Sequence, residues 1–161
     1  ALGDALAMVL LEARGFKIED YAKLHPGGAI GRTLLLRVED VMRTGERCAT
    51  VQSGHAVREA LIAMTGAKAG CVAIVNEDHT LAGIMTDGDL RRHLIETPNL
   101  VEQAVETVMT RHPITLKKDM LALEILNIYE KHNIDDLIVV DDQSRVIGAV
   151  DIQDMPKLKI L

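Results

Sequence analysis

The segment GIMTDGDLRR at Gly83–Arg92 has a weaker second copy, GAVDIQDM, at Gly148–Met155, 65 residues further along. Each copy is an apolar strand running into an acidic helix start. The flanks repeat too: DVMRTGERCATV at Asp40–Val51 is echoed by TVMTRHPITL at Thr107–Leu116, displaced by 67 and then 65 residues. Two tandem units of roughly 55 residues, over 38–94 and 105–158, are each too small to bury enough apolar surface alone, so each needs its copy as a partner. The expected division is a leading segment 1–37, a first unit 38–97 and a second unit 105–161.

Within unit one, Val57, Ala60, Leu61 and Met64 recur at helical spacing, which predicts an amphipathic helix over Ala56–Thr65, with Ser53 as its N-cap. Glycines at 66 and 70 break the pattern. Cys71–Val75 reads as a short apolar strand, NEDH as a turn, Leu81–Met85 as a second strand and Asp87–Leu94 as the closing helix. Asp87 and Asp89 stand at that helix's N-terminus, where acids are favoured. In unit two the same plan predicts a helix over Asp119–Glu130, strands over Leu137–Val140 and Val146–Val150, and a short helix from Ile152. The order strand, helix, strand, strand, helix thus occurs twice. The expected fold is α/β (α+β), with two small sheets packed face to face through a pseudo-twofold axis.

Hydrophobic residues are 48% of the chain, yet only Phe16, Tyr21 and Tyr129 are aromatic, so the core must be aliphatic. The net charge of -6 argues against a nucleic-acid or anionic-membrane surface. No run reaches the ~18–20 apolar residues that span a bilayer, and ALGDALAMVLLEAR lacks the basic leader of a signal peptide. Cys48 and Cys71 lack CxxC spacing, and Cys71, in the run CVAIV, reads as a small buried hydrophobe. This cysteine usage suits a reducing, cytoplasmic compartment.

Several marks coincide in the repeats: VMT near the start of unit two, a strand ending Val139-Val140-Asp141, and G-h-h-T-x-x-D, where h is apolar. Over about 120 residues the pattern resembles a tandem pair of cystathionine-β-synthase-type (CBS, or Bateman) domains. The resemblance implies clefts between the units that bind adenine nucleotides or related derivatives, with the Thr and Asp of G-h-h-T-x-x-D contacting ribose and phosphate. Thr86 and Asp89 match in unit one. In unit two Asp151 stands where Thr86 does, and Asp154 matches Asp89. A carboxylate in place of a hydroxyl repels phosphate rather than donating to it. Unit one offers Arg91, Arg92, Arg58 and Lys68 instead, so a bound phosphate is expected beside Thr86, near the N–H groups of the helix starting at Asp87. A plainer reading stays open, in which Thr86 and Asp89 are a helix cap and first-turn acid and the arginines a solvated face.

The leading segment lies outside the repeats. Leu2, Leu6, Val9 and Leu10 predict a helix over Leu2–Arg14, ended by Gly15, and Ala5, Met8 and Leu11 make its other side apolar as well. Such a helix belongs inside a larger core than this short segment can supply. Downstream, Pro26 excludes regular helix from HPGGAIGR, His25–Arg32, and its glycines permit close backbone approach. ALGDALA, HPGGAIGR and TDGDLRR, in this order, resemble D-arabinose 5-phosphate isomerases, bacterial enzymes with a sugar-isomerase (SIS) domain followed by a Bateman pair. Positions 1–37 are then a remnant helix and loop of the SIS domain.

That resemblance implies interconversion of D-ribulose 5-phosphate and D-arabinose 5-phosphate, which feeds 3-deoxy-D-manno-octulosonate (Kdo) and lipopolysaccharide biosynthesis. His25 matches the catalytic histidine, as base or as ring-opening group; an imidazole suits proton transfer near neutrality. The fragment alone is expected to be inert, because one histidine without a substrate pocket positions nothing. No cofactor is required. The implied ligand is a regulatory nucleotide or nucleotide-sugar such as AMP, ATP or CMP-Kdo, and the implied assembly a homo-dimer of pairs within a tetrameric parent. The alternative is a structural oligomerisation module without ligand sensing. His112 and His132 border the repeats and read first as solvated or cap residues, with an edge of the nucleotide cleft as the alternative. No His, Cys or acidic cluster has metal-ligand spacing.

Overall fold

The computed structural model describes residues 2–16, 20 and 35–158. His25 and the HPGGAIGR loop lie outside the described residues. The leading helix α1 (Leu2–Ala13) forms as the periodicity predicts. It ends where Gly15 takes φ +59° and Phe16 N–H donates to the Leu11 carbonyl. No residue of α1 is buried, and Leu2 is 86% exposed.

Unit one contains β1 (Thr50–Gln52), α3 (Val57–Ala67), β2 (Cys71–Val75), β3 (Leu81–Thr86) and α4 (Asp87–Glu96), preceded by the single-turn α2 (Val38–Val41). Unit two contains β4 (Thr110–Arg111), β5 (Thr115–Leu116), α5 (Ala122–His132), β6 (Asp136–Val140), β7 (Val146–Asp151) and a closing 3-10 helix, Ile152–Leu158. The predicted order of elements therefore occurs twice. In each unit a parallel pair (β1–β2, β5–β6) adjoins an antiparallel one (β2–β3, β6–β7). The register slips at matching places, Ile74/Val75 and Val139/Val140. Both helices end on a left-handed residue, Lys68 (φ 53°) and Asn133 (φ 54°), so the internal symmetry extends to their caps. Ser53 does not cap α3. Ala56 holds that position without a side-chain bond, and the Ser53 hydroxyl donates to Glu106.

The sheets meet face to face. Cys71, Ala73 and Ile84 of one pack with Ile138, Val140 and Ala149 of the other, all small or β-branched, as a close aliphatic contact requires. Each sheet also carries its helix on a separate core: Val57, Ala60, Met64, Val72 and Met85 in unit one, Leu116, Ala122, Ile125, Leu137 and Val150 in unit two.

The segments leading into the units are exchanged. The residues that open unit one pack on unit two: Val38 and Val41 join the second core, Val38 N–H donates to Met120, and Arg43 and Ala149 exchange both backbone hydrogen bonds (2.7 and 3.0 Å). The residues that lead into and open unit two pack on unit one in the same way: Leu100, Val105 and Val108 join the first core, and β4 pairs with β3. The glycine opening each copy, GIMT at Gly83 and GAVD at Gly148, makes this exchange fit. A Cβ on Gly83 would lie 2.7 Å from Met109 Sδ and 2.8 Å from the Thr110 carbonyl. A Cβ on Gly148 would lie 2.8 Å from Met42 Sδ and 2.9 Å from the Arg43 carbonyl.

Candidate functional site

The strand-to-helix junction of each unit faces the other unit, so residues separated by more than 60 positions share one cleft. In unit one Thr86 ends β3 and caps α4. Asp89 N–H donates to its Oγ1 (3.2 Å), while its own N–H (2.9 Å) and hydroxyl (2.8 Å) donate to Asp89 Oδ2. Arg92 Nη2 donates to the other carboxylate oxygen at 2.5 Å. Among the described residues Asp89 is the only charged one buried, at 7% exposure, and these three donors hold its charge there. The cap reading of Thr86 and Asp89 is therefore realised in full. Of the N–H groups opening α4, that of Asp87 donates to the Gly70 carbonyl and that of Asp89 to Thr86.

Thr86 and Asp89 also line a cleft of about 830 Å3 at the junction of the units. The space falls within the range of small-molecule sites. Arg91, Arg92, Lys68 and His112 bring positive charge or imidazole to it, and Asp135, Asp136 and Asp151 bring negative charge. Arg58 is not there; it pairs with Glu102 outside the cleft. His132 and Asp154 do not line it either.

Asp136 and Asp151 are direct cross-strand partners, the counterparts of Cys71 and Thr86 in unit one. Burial, then the charge of Asp151, pushes the Asp136 carboxyl up to about 6; the hydrogen bond with Cys71 and the charge of Arg43 oppose this. Burial, followed by the charge of Asp136, drives the Cys71 thiol upward, leaving it an unreactive part of the inter-sheet core.

The second junction is built differently. Arg43 Nε donates to Asp154 Oδ2 at 2.6 Å, Nη2 to Asp151 Oδ2 at 2.9 Å and Nη1 to the Lys68 carbonyl at 3.3 Å. Arg47 stands 3.6 Å from the same Asp154 oxygen. The hydrogen bond to Asp154 raises the guanidinium pKa further, despite partial burial. Sequence reading missed Arg43, because its partners lie more than 100 residues downstream. The signal was a paired substitution: Arg43 stands where the repeat puts Thr110, and Asp151 where it puts Thr86. Asp154 is thus turned to Arg43 and away from the cleft, while Asp151 both bonds Arg43 and lines the cleft beside Asp135 and Asp136.

Two five-element units with exchanged opening segments, joined at a cleft beside G-h-h-T-x-x-D, define a duplicated α/β architecture. The CBS-domain family model matches residues 38–96 and 105–157, and the chain belongs to that family. It is 46% identical over 160 residues to arabinose 5-phosphate isomerase KdsD of Pseudomonas aeruginosa, covering 99% of this chain and 49% of the relative. It is 39% identical over 154 residues to KdsD of Escherichia coli, covering 96% and 47%. The chain thus spans about half the length of these curated relatives. Among solved structures, the CBS domain pair of protein MJ0100 in complex with 5'-methylthioadenosine and S-adenosyl-L-methionine matches with TM-score 0.69 and 28% identity, covering 78% of this chain and 96% of that one. CBSX2 in complex with AMP matches in fold, with TM-score 0.64 and 19% identity over 78% and 96%. No helix among the described residues is long and apolar enough to cross a membrane.

Proposed function

We propose that this chain is the ligand-sensing part of a D-arabinose 5-phosphate isomerase, and that it binds a nucleotide or nucleotide-sugar beside Thr86. The observation that carries the reading is the 830 Å3 cleft, where Lys68, Arg91, Arg92 and His112 gather near the start of α4. Phosphate is held at the cationic side, and ribose hydroxyls or an exocyclic amine donate to the carboxylates opposite. The complexes of MJ0100 with adenosine derivatives support the ligand class, and identity to the KdsD enzymes supports the parent. In that parent the segment 1–37 closes a sugar-isomerase domain and His25 serves its proton transfer; the 161-residue chain alone does not isomerise. CMP-Kdo is the regulatory candidate, as a product downstream of the parent's reaction.

Calorimetric titration with AMP, ATP and CMP-sugars tests the cleft, and no saturable heat at millimolar ligand would sink it. Regulation further requires that ligand and sugar phosphate alter each other's affinity. Unchanged kinetics of the full-length enzyme with CMP-Kdo would remove that step. A second reading, assembly without sensing, draws on Ile62, Leu94 and Ile95 of α3 and α4, with Ile95 88% exposed. A full-length enzyme that stays tetrameric when 38–161 is deleted would exclude it.

A further inference from the structure

The internal symmetry allows the two clefts to be compared residue by residue. Thr110 pairs through its backbone with Ile84, two residues before Thr86, while Arg43 pairs with Ala149, two residues before Asp151. Thr110 lines the open cleft with a short neutral side chain. At the equivalent place Arg43 projects a guanidinium that meets Asp151, Asp154 and the carbonyl of Lys68. Lys68 is itself the counterpart of Asn133, which lines the open cleft. The guanidinium therefore fills the place that symmetry makes equivalent to the first cleft, against Asp151 and Lys68, which stand at the centre and line the first cleft as well. Its side chain is 10% exposed, and those of Asp151 and Asp154 are 16% and 13%.

We propose that Arg43 is a tethered ligand of the second cleft, that Asp151, Asp154 and the Lys68 carbonyl form a guanidinium receptor, and that the pair consequently presents one open small-molecule cleft. This rests on the reading of the first cleft as a ligand site, and it supplies the cause of the asymmetry. The planar fork of an arginine engages two carboxylates and a carbonyl at once, which a lysine's point charge does not. A nucleotide phosphate entering here would have to displace that fork and face two uncovered carboxylates. The second cleft is closed to anions in both states.

The receptor is tested by chemical rescue, independently of any nucleotide. Arg43→Ala should lower the Tm of the 161-residue chain by several degrees. Millimolar methylguanidinium chloride should raise the variant's Tm by a few degrees beyond equimolar sodium or methylammonium chloride, with no such gain in wild type. Adding Asp154→Asn should abolish the gain. Equal responses of wild type and variant, or a gain that survives loss of Asp154, would overturn the proposal. Wild type gives a second readout should Arg43→Ala fail to fold. Arginine side-chain NMR should show an Nε–H protected from solvent exchange that disappears in Arg43→Lys, and a freely exchanging set would overturn it equally. Titration with AMP then separates the two readings. One site per chain is expected and two sites would refute the plug, whereas no binding with intact rescue would refute the nucleotide reading alone.

Discussion

The two units share backbone, register slips and helix caps, yet their clefts differ in what occupies them. Unit one ends β3 on Thr86, whose hydroxyl is satisfied within its own capping box, so the space beside it stays open. Unit two ends β7 on Asp151, and the carboxylate is satisfied by a cation brought from the opening segment of unit one, Arg43. Duplication preserved the architecture because backbone pairing and glycine clearance do not depend on which polar group ends the strand. The two junctions differ through a pair of side chains, Arg43 with Asp151 against Thr110 with Thr86, each compatible with the same backbone.

The strongest test of that shared backbone lies at the two glycines. Gly83→Ala and Gly148→Ala each force a Cβ against a methionine sulfur and a backbone carbonyl, at 2.7–2.9 Å. Overpacking of this kind costs roughly 2–3 kcal/mol, and the backbone partner cannot rotate away. Urea denaturation should show similar losses for both. A loss confined to one would break the equivalence of the exchanged segments.

Next in size is a pH effect present in one unit only. The Asp136 carboxyl, raised to about 6 in the fold from an ordinary 3.8, keeps a proton that the unfolded chain releases. The folded state binds more protons across that window, so this group's contribution to stability falls as pH rises from about 4 through 6. Asp136→Asn should therefore stabilise the protein by about 1–2 kcal/mol above pH 6.5, and the advantage should vanish below pH 4. The groups facing Asp136 are Asp151, Asp135, Cys71 and Arg43. Cys71→Ala at the equivalent position removes the hydrogen bond that opposes the rise of the Asp136 carboxyl. It should therefore deepen the fall in stability from about pH 4 to 7, although the buried thiol itself stays protonated there. Thermal melts across pH decide the matter, and parallel profiles for wild type and Asp136→Asn would contradict it.

How much of this was legible in the sequence follows from the range of each interaction. Strand Cys71–Val75 was read to the residue, since an apolar run bounded by glycine and a polar turn is a local signal. Helices α3 and α5 were displaced by one to three residues, because their starts at Ala56 and Leu121 are set by partners from the exchanged segments: Val57 N–H donates to Gln103, and Ala122 N–H to Leu36. The same long-range pairing drew Ser53 to Glu106 and away from its expected cap. Thr86, Asp89, Arg91 and Arg92 line one cleft, where the family resemblance had put them, whereas Asp154 meets Arg43 and Arg58 meets Glu102. A charge's partner is a property of the tertiary fold, and no local pattern announces it.

The cap at Thr86 gives an effect of intermediate size with two separable parts. Thr86→Ala removes an acceptor for Asp89 N–H and a donor to its carboxylate. The expected stability loss is about 1 kcal/mol. Thr86→Ser keeps the hydroxyl and should restore both stability and nucleotide affinity. If Thr86→Ala lowers stability while affinity for AMP is unchanged, the residue is a cap alone, and the cleft's specificity lies with Lys68, Arg91 and His112.

The smallest expected effect sharpens the contrast between the arginines. Arg58 pairs with Glu102 across the surface of unit one, and their side chains are 58% and 56% exposed. Water and salt screen such a pair, and ordering two long side chains offsets most of its attraction. Arg58→Ala should change unfolding free energy by less than about 0.5 kcal/mol, with little dependence on salt. Arg43→Ala, which strips the cation from two shielded carboxylates, should cost several times more, on the order of 3 kcal/mol. The ratio matters more than either value. Comparable losses for the two arginines would mean that the second cleft is as well hydrated as the open surface, and Arg43 would then be an ordinary surface ion pair rather than the occupant of a site.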